Sequence, residues 1–223
     1  MSQREVIVED AIHWLKNPKD ISHFSSVASL PDISEFPQLS LNQWKEWFVT
    51  TAGLIFQNTS DEGVTIFFQS DIKWEGEWVD KAYLCQKAAE QQGSQLLWHK
   101  IICRSPAGTT TFGRPSYSHI LCFSKKIRLE TSESTPDVIS DMGDKTWQRG
   151  MGLEACLLIG RFLSDKVPSN TIVNPFCGEG SVLATANAFG LSALGIERSP
   201  KRAQKAKELI LNISEKKWLT HEK

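Results

Sequence analysis

IVNPFCGEGSVLATANAFGLSALGIE, residues 172–197, decides how the rest of the chain is read. Ile172 and Val173 end an apolar run of strand character. Gly178 and Gly180 then let the backbone turn tightly and let a ligand approach without a Cβ in the way. The small-residue run after Ser181 reads as a helix with its first amides facing the turn. A second apolar strand follows and closes on Glu197. Strand, glycine turn, helix, strand and terminal acid are the parts of a nucleotide-binding half-fold, in which the acid takes the ribose hydroxyls. The turn is not a dinucleotide turn. G-x-G-x-x-G needs glycine where this chain has Leu183, and a pyrophosphate needs free helix amides. Asn174, Pro175, Phe176 and Cys177 offer instead a carboxamide, a fixed proline, an aromatic ring and a small thiol. That set suits a ligand with an amino acid moiety and an adenosine.

The half-fold comes last in the chain, so its other half must lie upstream. The order of apolar runs supports this. EVIV, FSSVA, GVTIFFQ, QLLWHKIIC and YSHILCFSKK read as strands; AIHWLKN, residues 41–58 and EWVDKAYLCQKAAEQQG, residues 77–93, read as helices, with Ser40 capping the second and Gly93 ending the third. TWQRGMGLEACLLIGRFLSD reads as a helix with Trp147, Met151, Ala155, Leu158 and Phe162 on one stripe. SPKRAQKAKELILNIS reads as a last helix, capped by Ser199 with Pro200 at its first position. LETSESTPDVISDMGD is polar and turn-rich. Strands alternating with helices predict a parallel sheet covered on both faces. No linker divides the 223 residues, which predicts one α/β domain.

Bulk properties narrow the class. The net charge of −1 excludes a global field that drives the chain onto nucleic acid, though not a local basic groove. Cys85, Cys103, Cys122, Cys156 and Cys177 are odd in number and scattered, which reads as buried thiols in a reducing compartment. The charged N-terminus has no apolar signal core, and no run is long enough to span a membrane. The expected location is the cytoplasm. No Cys/His cluster has metal spacing, so no metal is expected. His99 and His119 read as structural.

NPFCGEGSVLATANAFGLSALGIERSPKRAQKAKEL, residues 174–209, resembles the cofactor site of class I S-adenosylmethionine-dependent methyltransferases. It is most similar to the circularly permuted group that methylates exocyclic amines of cytosine or adenine in DNA. That group's turn reads D-P-F-x-G-S-G-T; here Asn174 stands for the aspartate and Glu179 for the serine. In the permuted group the catalytic half comes first and the cofactor half last, the order seen here. The resemblance implies a Rossmann-like, mostly parallel sheet with an antiparallel edge strand, for which YSHILCFSKK is the best candidate. It implies a target half at 1–130 and a cofactor half at 144–212. VIVEDAIHWL resembles the segment whose acid reaches the adenine amine, which would be Asp10. WQRGMGLEACLLIGRFL resembles the helix beside the methionine tail. S-adenosyl-L-methionine is the implied cofactor, held by Asp10, Asn174, Pro175, Phe176, Cys177, Gly178, Gly180 and Glu197.

The target motif of that group is [D/N/S]-P-P-[Y/F/W]. A base amine is a poor nucleophile because its lone pair is delocalised into the ring. Hydrogen bonds from its N–H groups to a side-chain oxygen and a fixed carbonyl aim the lone pair, and the aromatic stacks on a flipped base. Ser29-Leu30-Pro31-Asp32 is the best match. Ser29, Pro31 and Asp32 are the catalytic candidates, with Asp32 in place of the aromatic. Phe36 or Trp44 could supply the missing stacking face. Asp71, Lys73, Lys100, Arg104 and Arg114 fall near strand ends or on the loop between strands and are the candidate substrate contacts, the basic ones for phosphates. RNA or DNA is the implied partner. Three alternatives stay open: a small-molecule acceptor, a protein side chain, and a cofactor-binding module without transfer. The sequence does not specify oligomeric state.

Overall fold

The computed structural model describes residues 3–17 and 23–219. The chain begins with β1 (Arg4–Val8), α1 (Ala11–Lys16), β2 (Phe24–Ala28), a 3-10 turn (Ile33–Glu35), α2 (Leu41–Asn58) and β3 (Thr65–Gln69). A hairpin, β4 (Ile72–Trp74) and β5 (Glu77–Val79), leads to α3 (Lys81–Gln91), β6 (Gln95–Cys103), β7 (Tyr117–Ser124) and β8 (Val138–Ile139). Then come α4 (Leu153–Lys166), β9 (Thr171–Asn174), α5 (Ser181–Ala188), β10 (Ser192–Glu197), α6 (Pro200–Glu208) and a closing hairpin, β11 (Ile210–Asn212) and β12 (Lys217–Leu219).

Eight strands form one sheet in the order β1-β10-β9-β2-β3-β7-β6-β8. The strands of the opening half-fold, β9 and β10, lie between β1 and β2, so the end of the chain completes the sheet that its beginning starts. β1, β10, β9, β2 and β3 are mutually parallel. β7 is antiparallel to both its neighbours, β3 and β6. It is the expected antiparallel piece but stands third from the edge. β6 and the two-residue β8, drawn from the stretch read only as polar, cover it.

Two cores, one on each face, explain why the central strands are apolar throughout. Along β3, Ile66 and Phe68 belong to one core and Phe67 to the other; along β7, Ile120 and Cys122 oppose Leu121 and Phe123. This is the two-residue alternation of a strand buried on both faces. Helices α1, α2 and α3 cover the first face, where Trp44, Phe48 and Phe56 are fully buried. Helices α4, α5 and α6 cover the second. The Ser40 cap is present, with Gln43 closing a capping box.

Three helices are shorter than the sequence predicts. Residues 77–79 form β5 instead, and α3 starts at Lys81 after the Asp80 cap. Trp147 and Met151 lie outside α4, which starts at Leu153. Its first amides are taken from outside: Leu153 N donates to Asp144 O at 2.9 Å and Glu154 N to Met142 O at 3.0 Å. The chain from Met142 to Gly152 is thereby folded back as a strap instead of extending the helix. At the other end α6 stops at Glu208. Leu209 and Leu211 are both buried in a satellite core with Leu153, Leu157 and Ala184, a spacing of two that suits a strand. No helix among the described residues is long and apolar enough to cross a membrane.

Candidate functional site

A cleft of about 510 Å3 opens at the carboxyl ends of the five parallel strands. Its volume is in the range of small-molecule sites. Each strand delivers residues to it just past its last hydrogen bond: Asp10 after β1, Glu197 at the end of β10, Pro175 and Phe176 after β9, Ser29 to Asp32 after β2, Gln69 and Ser70 from β3. The strand order changes direction between β9 and β2, which is where ligands bind in open α/β sheets.

One end is built by the opening half-fold. Glu197 is buried, and its Oε1 accepts from Ser199 N at 2.7 Å and from Arg202 Nε and Nη2 at 3.0 and 2.8 Å. Ser199 caps α6 and Pro200 starts it, so Arg202 falls on the first turn, facing the acid. One carboxylate oxygen is thus held by a cation, and the residue still lines the cleft. Asp10 caps α1, accepting from Ile12 N and His13 N on Oδ1. Asn174 is buried and turns its side chain onto the chain itself, where Oδ1 accepts from Phe176 N at 3.0 Å. That bond sets the turn and leaves Phe176 and Pro175 on the cleft wall. Cys177 lies behind the wall, where burial and then the charge of Glu197 push its thiol up to about 12.

The two turn glycines serve different contacts. Gly178, at φ +57°, lines the cleft, and a Cβ there would come within 2.6 Å of the Trp147 ring. Gly180, at φ +89°, lies behind it; a Cβ would meet the Cα of Ala206 in α6 at 2.6 Å. The strap therefore reaches the turn through Trp147, whose ring also lies 5.7 Å from the Arg202 guanidinium. At the mouth Arg149 on the strap pairs with Glu35 at 2.6 Å.

The other end is built around Ser29-Leu30-Pro31-Asp32. Ser29 is exposed to the cleft and Pro31 lies on its wall, its carbonyl accepting from Trp44 Nε1 at 3.3 Å. Trp44 is fully buried beneath this turn, whereas Phe36 lines the cleft together with Trp47, their centroids 4.4 Å apart. Asp32 lines the cleft with both oxygens engaged: Oδ1 pairs with Lys81 and Oδ2 with Arg114 at 2.5 Å. Burial and then the charge of Arg114 pull the Lys81 ammonium down to about 7. Paired to two cations, Asp32 presents no free negative charge to the cleft.

Arg104 and Arg114 also line the cleft, but Asp71, Lys73 and Lys100 do not. Asp71 is buried beyond β3 and accepts from Lys81 N at 2.8 Å, His119 Nε2 at 3.0 Å and Trp78 Nε1 at 3.1 Å. Burial alone would raise its pKa; these donors outweigh it and leave Asp71 below the ordinary carboxylate range. The hairpin β4–β5 folds over Asp71 and makes it a structural anchor. Lys73 is at the hairpin surface beside the Trp78 ring. Lys100 is buried, donating to the carbonyls of Thr135 and Pro136 at 3.1 and 2.9 Å, and so pins the approach to β8. His99 Nε2 lies 2.8 Å from His119 Nδ1, extending the Asp71–His119 pair into a three-membered chain.

Several cleft residues have no counterpart in the sequence reading: Gln69, Lys81, Lys145, Trp147, Arg149 and Arg202. Arg202 was findable, since the Ser199 cap fixes which turn of α6 it occupies. The partners of the others are distant in sequence, and no local pattern marks them.

No family model matches the chain, and no curated protein matches it. Solved structures do. TTHA0409 of Thermus thermophilus, a candidate DNA modification methylase complexed with S-adenosyl-L-methionine, superposes with a TM-score of 0.69 at 21% identity, over 92% of this chain and 93% of its own. The PvuII cytosine-N4-specific DNA methyltransferase gives 0.69 at 11% identity, over 92% and 86%. The M1.HpyAVI complex with S-adenosyl-L-methionine gives 0.61 at 14% identity, over 92% and 98%. The chain has the α/β fold of these methyltransferases, over nearly its whole length.

Proposed function

We propose that this chain is an S-adenosyl-L-methionine-dependent methyltransferase acting on an exocyclic amine of a nucleobase in DNA or RNA. The observation that carries this reading is the single cleft in which Asp10, Phe176 and Glu197 face one end and Ser29 and Pro31 the other. The solved structures of like fold support it: two are complexed with S-adenosyl-L-methionine, and one is named for cytosine-N4 methylation.

The donor set fits the cofactor. Glu197 is a buried acceptor with one oxygen fixed by Arg202, suited to a ribose diol. Asp10 is an acceptor for an amine and Phe176 an apolar wall. When bound, the cofactor supplies an electrophilic methyl group on a sulfonium. The protein's own part is positioning. The Ser29 hydroxyl oxygen accepts a hydrogen bond from an N–H of the acceptor amine, turning the nitrogen lone pair toward the cofactor end. Pro31 stiffens the backbone behind it, with its own carbonyl tied to Trp44. Phe36 and Trp47 offer the apolar face that Asp32 cannot. Asp32, held by Lys81 and Arg114, keeps two cations in place at the acceptor end.

Calorimetry with S-adenosyl-L-methionine, S-adenosylhomocysteine and NAD tests the cofactor end. The first two bind and NAD does not. Glu197→Ala weakens the first two by about tenfold or more, in line with ~1.5–3 kcal/mol for a hydrogen bond to a charged group. Methyl transfer to bulk RNA or DNA tests the acceptor end and falls in Ser29→Ala with cofactor affinity kept. Folded protein that binds neither sulfonium nor homocysteine product overturns the reading. Binding without transfer to any nucleic acid overturns its acceptor half.

A further inference from the structure

Among the described residues, three buried side-chain nitrogen or oxygen atoms lack a hydrogen-bond partner: Trp14 Nε1, Gln69 Nε2 and Arg104 Nη1. Gln69 and Arg104 both line the cleft, and both orphan atoms are donors. A buried donor without an acceptor is costly, and native structures rarely carry one without a use. Gln69 is 1% exposed, so its amide has nowhere to turn but the cleft it lines.

The charges around these donors are unbalanced. In the cleft Arg202 is matched by Glu197, Arg149 by Glu35, and Lys81 with Arg114 by the single acid Asp32. Arg104 and Lys145 have no acid partner among the described residues. They come from separate elements: Arg104 follows β6, with its amide fixed to Ser116 O at 2.7 Å, Arg114 is on the loop before β7, and Lys145 is on the strap. The three are near enough to disturb one another. Burial and then Arg114 lower the Arg104 pKa; burial, Arg104 and Arg114 lower that of Lys145. A fold that gathers three cations around one shared acid and leaves a buried Arg104 donor unfilled is arranged for an anion.

We propose that Arg104, Arg114 and Lys145 form an anion subsite at the acceptor end of the cleft, which takes a phosphate group carried by the acceptor nucleotide, with Gln69 donating to an oxygen of the same ligand. This deepens the methyltransferase reading and rests on it for the acceptor's identity. Arg104 and Arg114 supply planar donor forks, suited to phosphate oxygens, and Lys145 a point charge from the strap. The phosphate is either a phosphodiester of a strand or the monoester of a free nucleotide.

The probes are deoxycytidine, deoxyadenosine, their 5′-monophosphates and a short single-stranded oligonucleotide. Binding is read by calorimetry, with S-adenosylhomocysteine titrated into the same protein. The monophosphate or the oligonucleotide binds at least about tenfold tighter than the nucleoside, and Arg104→Gln and Lys145→Gln each narrow the gap; for the oligonucleotide each also lowers the salt slope by about one. An oligonucleotide bound well above the monophosphate assigns the phosphodiester; equal binding assigns the monoester. Nucleoside and phosphate-bearing probes that bind alike overturn the subsite, as does a gap untouched by the Arg104→Gln, Lys145→Gln double variant. Melting curves certify the fold of each variant. If S-adenosylhomocysteine binds and the gap is absent, the subsite fails and the methyltransferase reading stands. If the gap is present and S-adenosylhomocysteine does not bind, the reverse holds.

Discussion

Adding one methyl group at each turn glycine separates the two jobs of the turn. Gly180→Ala places a Cβ 2.6 Å from Cα, 2.8 Å from Cβ and 2.9 Å from the carbonyl oxygen of Ala206. These atoms belong to helix α6, which cannot yield without moving as a body. Overpacking of this kind costs about 1–3 kcal/mol, and a non-glycine residue in the left-handed region about 1–2 kcal/mol more. At roughly 2–4 °C per kcal/mol for a domain of this size, Gly180→Ala melts roughly 10 °C below the parent. It also weakens S-adenosylhomocysteine binding, because α6 carries Arg202, which holds Glu197. Gly178→Ala shares the left-handed penalty, at φ +57°, but its Cβ meets only the Trp147 ring, a side chain on the strap that can swing away. Its melting point falls by roughly half as much or less, while tryptophan emission shifts as Trp147 leaves its place over the turn. Thermal melts followed by circular dichroism, with fluorescence alongside, decide the matter. A Gly180→Ala protein melting within about 2 °C of the parent, or a Gly178→Ala protein melting below it, refutes the packing argument.

Three further outcomes follow from the same contacts. Asp71→Ala strips three donors of a buried acceptor and lowers stability by about 3–5 kcal/mol, read from the urea midpoint; in whatever fraction stays folded, S-adenosylhomocysteine affinity holds, since Asp71 does not line the cleft. His99 is disfavoured as a cation by burial first and by His119 second, so its native pKa lies below the unfolded value of 6.5. The unfolded chain then binds the extra proton, stability falls as pH drops below about 6.5, and His99→Gln flattens that part of the curve. Arg149→Ala breaks the contact with Glu35 across the mouth, and stopped-flow fluorescence then shows faster S-adenosylhomocysteine association and release with little change in melting.

The sheet and the glycine turn were legible because their signals are local. Strand apolarity, the glycines at 178 and 180, the Ser199 cap and Glu197 all lie within one stretch, and each constrains its neighbour. The strap was not legible. Trp147 and Met151 keep helical spacing with Ala155, yet the carbonyls of Asp144 and Met142 take the first amides of α4 and cut the helix short. Position past a strand also proved an incomplete guide to the cleft. Asp71 and Gln69 are two residues apart near the end of β3, but only Gln69 faces the cleft, because the β4–β5 hairpin closes over Asp71 and supplies Trp78. Lys81 was beyond reach for another reason: its partner Asp32 is far off in sequence, and only the packing of α3 beside the turn after β2 brings them together.

That last pair bears on how the acceptor end came to differ from the motif it resembles. Replacing a stacking aromatic by an acid removes a π face and adds a charge. Left alone in the cleft, the charge would oppose the phosphate-bearing ligand proposed above. Here it does the reverse. Asp32 binds Lys81 and Arg114, and its charge permits the two cations to stand close to each other and Arg114 to stand close to Arg104 and Lys145. On the proposed reading the stacking face is supplied instead by Phe36 and Trp47, on the 3-10 turn's end and on α2. The exchange is self-consistent only if all parts are present, so its parts fail together. Asp32→Phe, which restores the aromatic of the motif, leaves Lys81 buried without an acid and lowers stability by about 3–5 kcal/mol, the cost of breaking a buried ion pair. Adding Lys81→Met recovers most of that loss, because the uncompensated buried charge is gone. Recovery measured by urea denaturation identifies the buried ion pair as the reason the aromatic cannot simply be put back; an Asp32→Phe protein as stable as the parent would show that the pair does not hold this end of the cleft together.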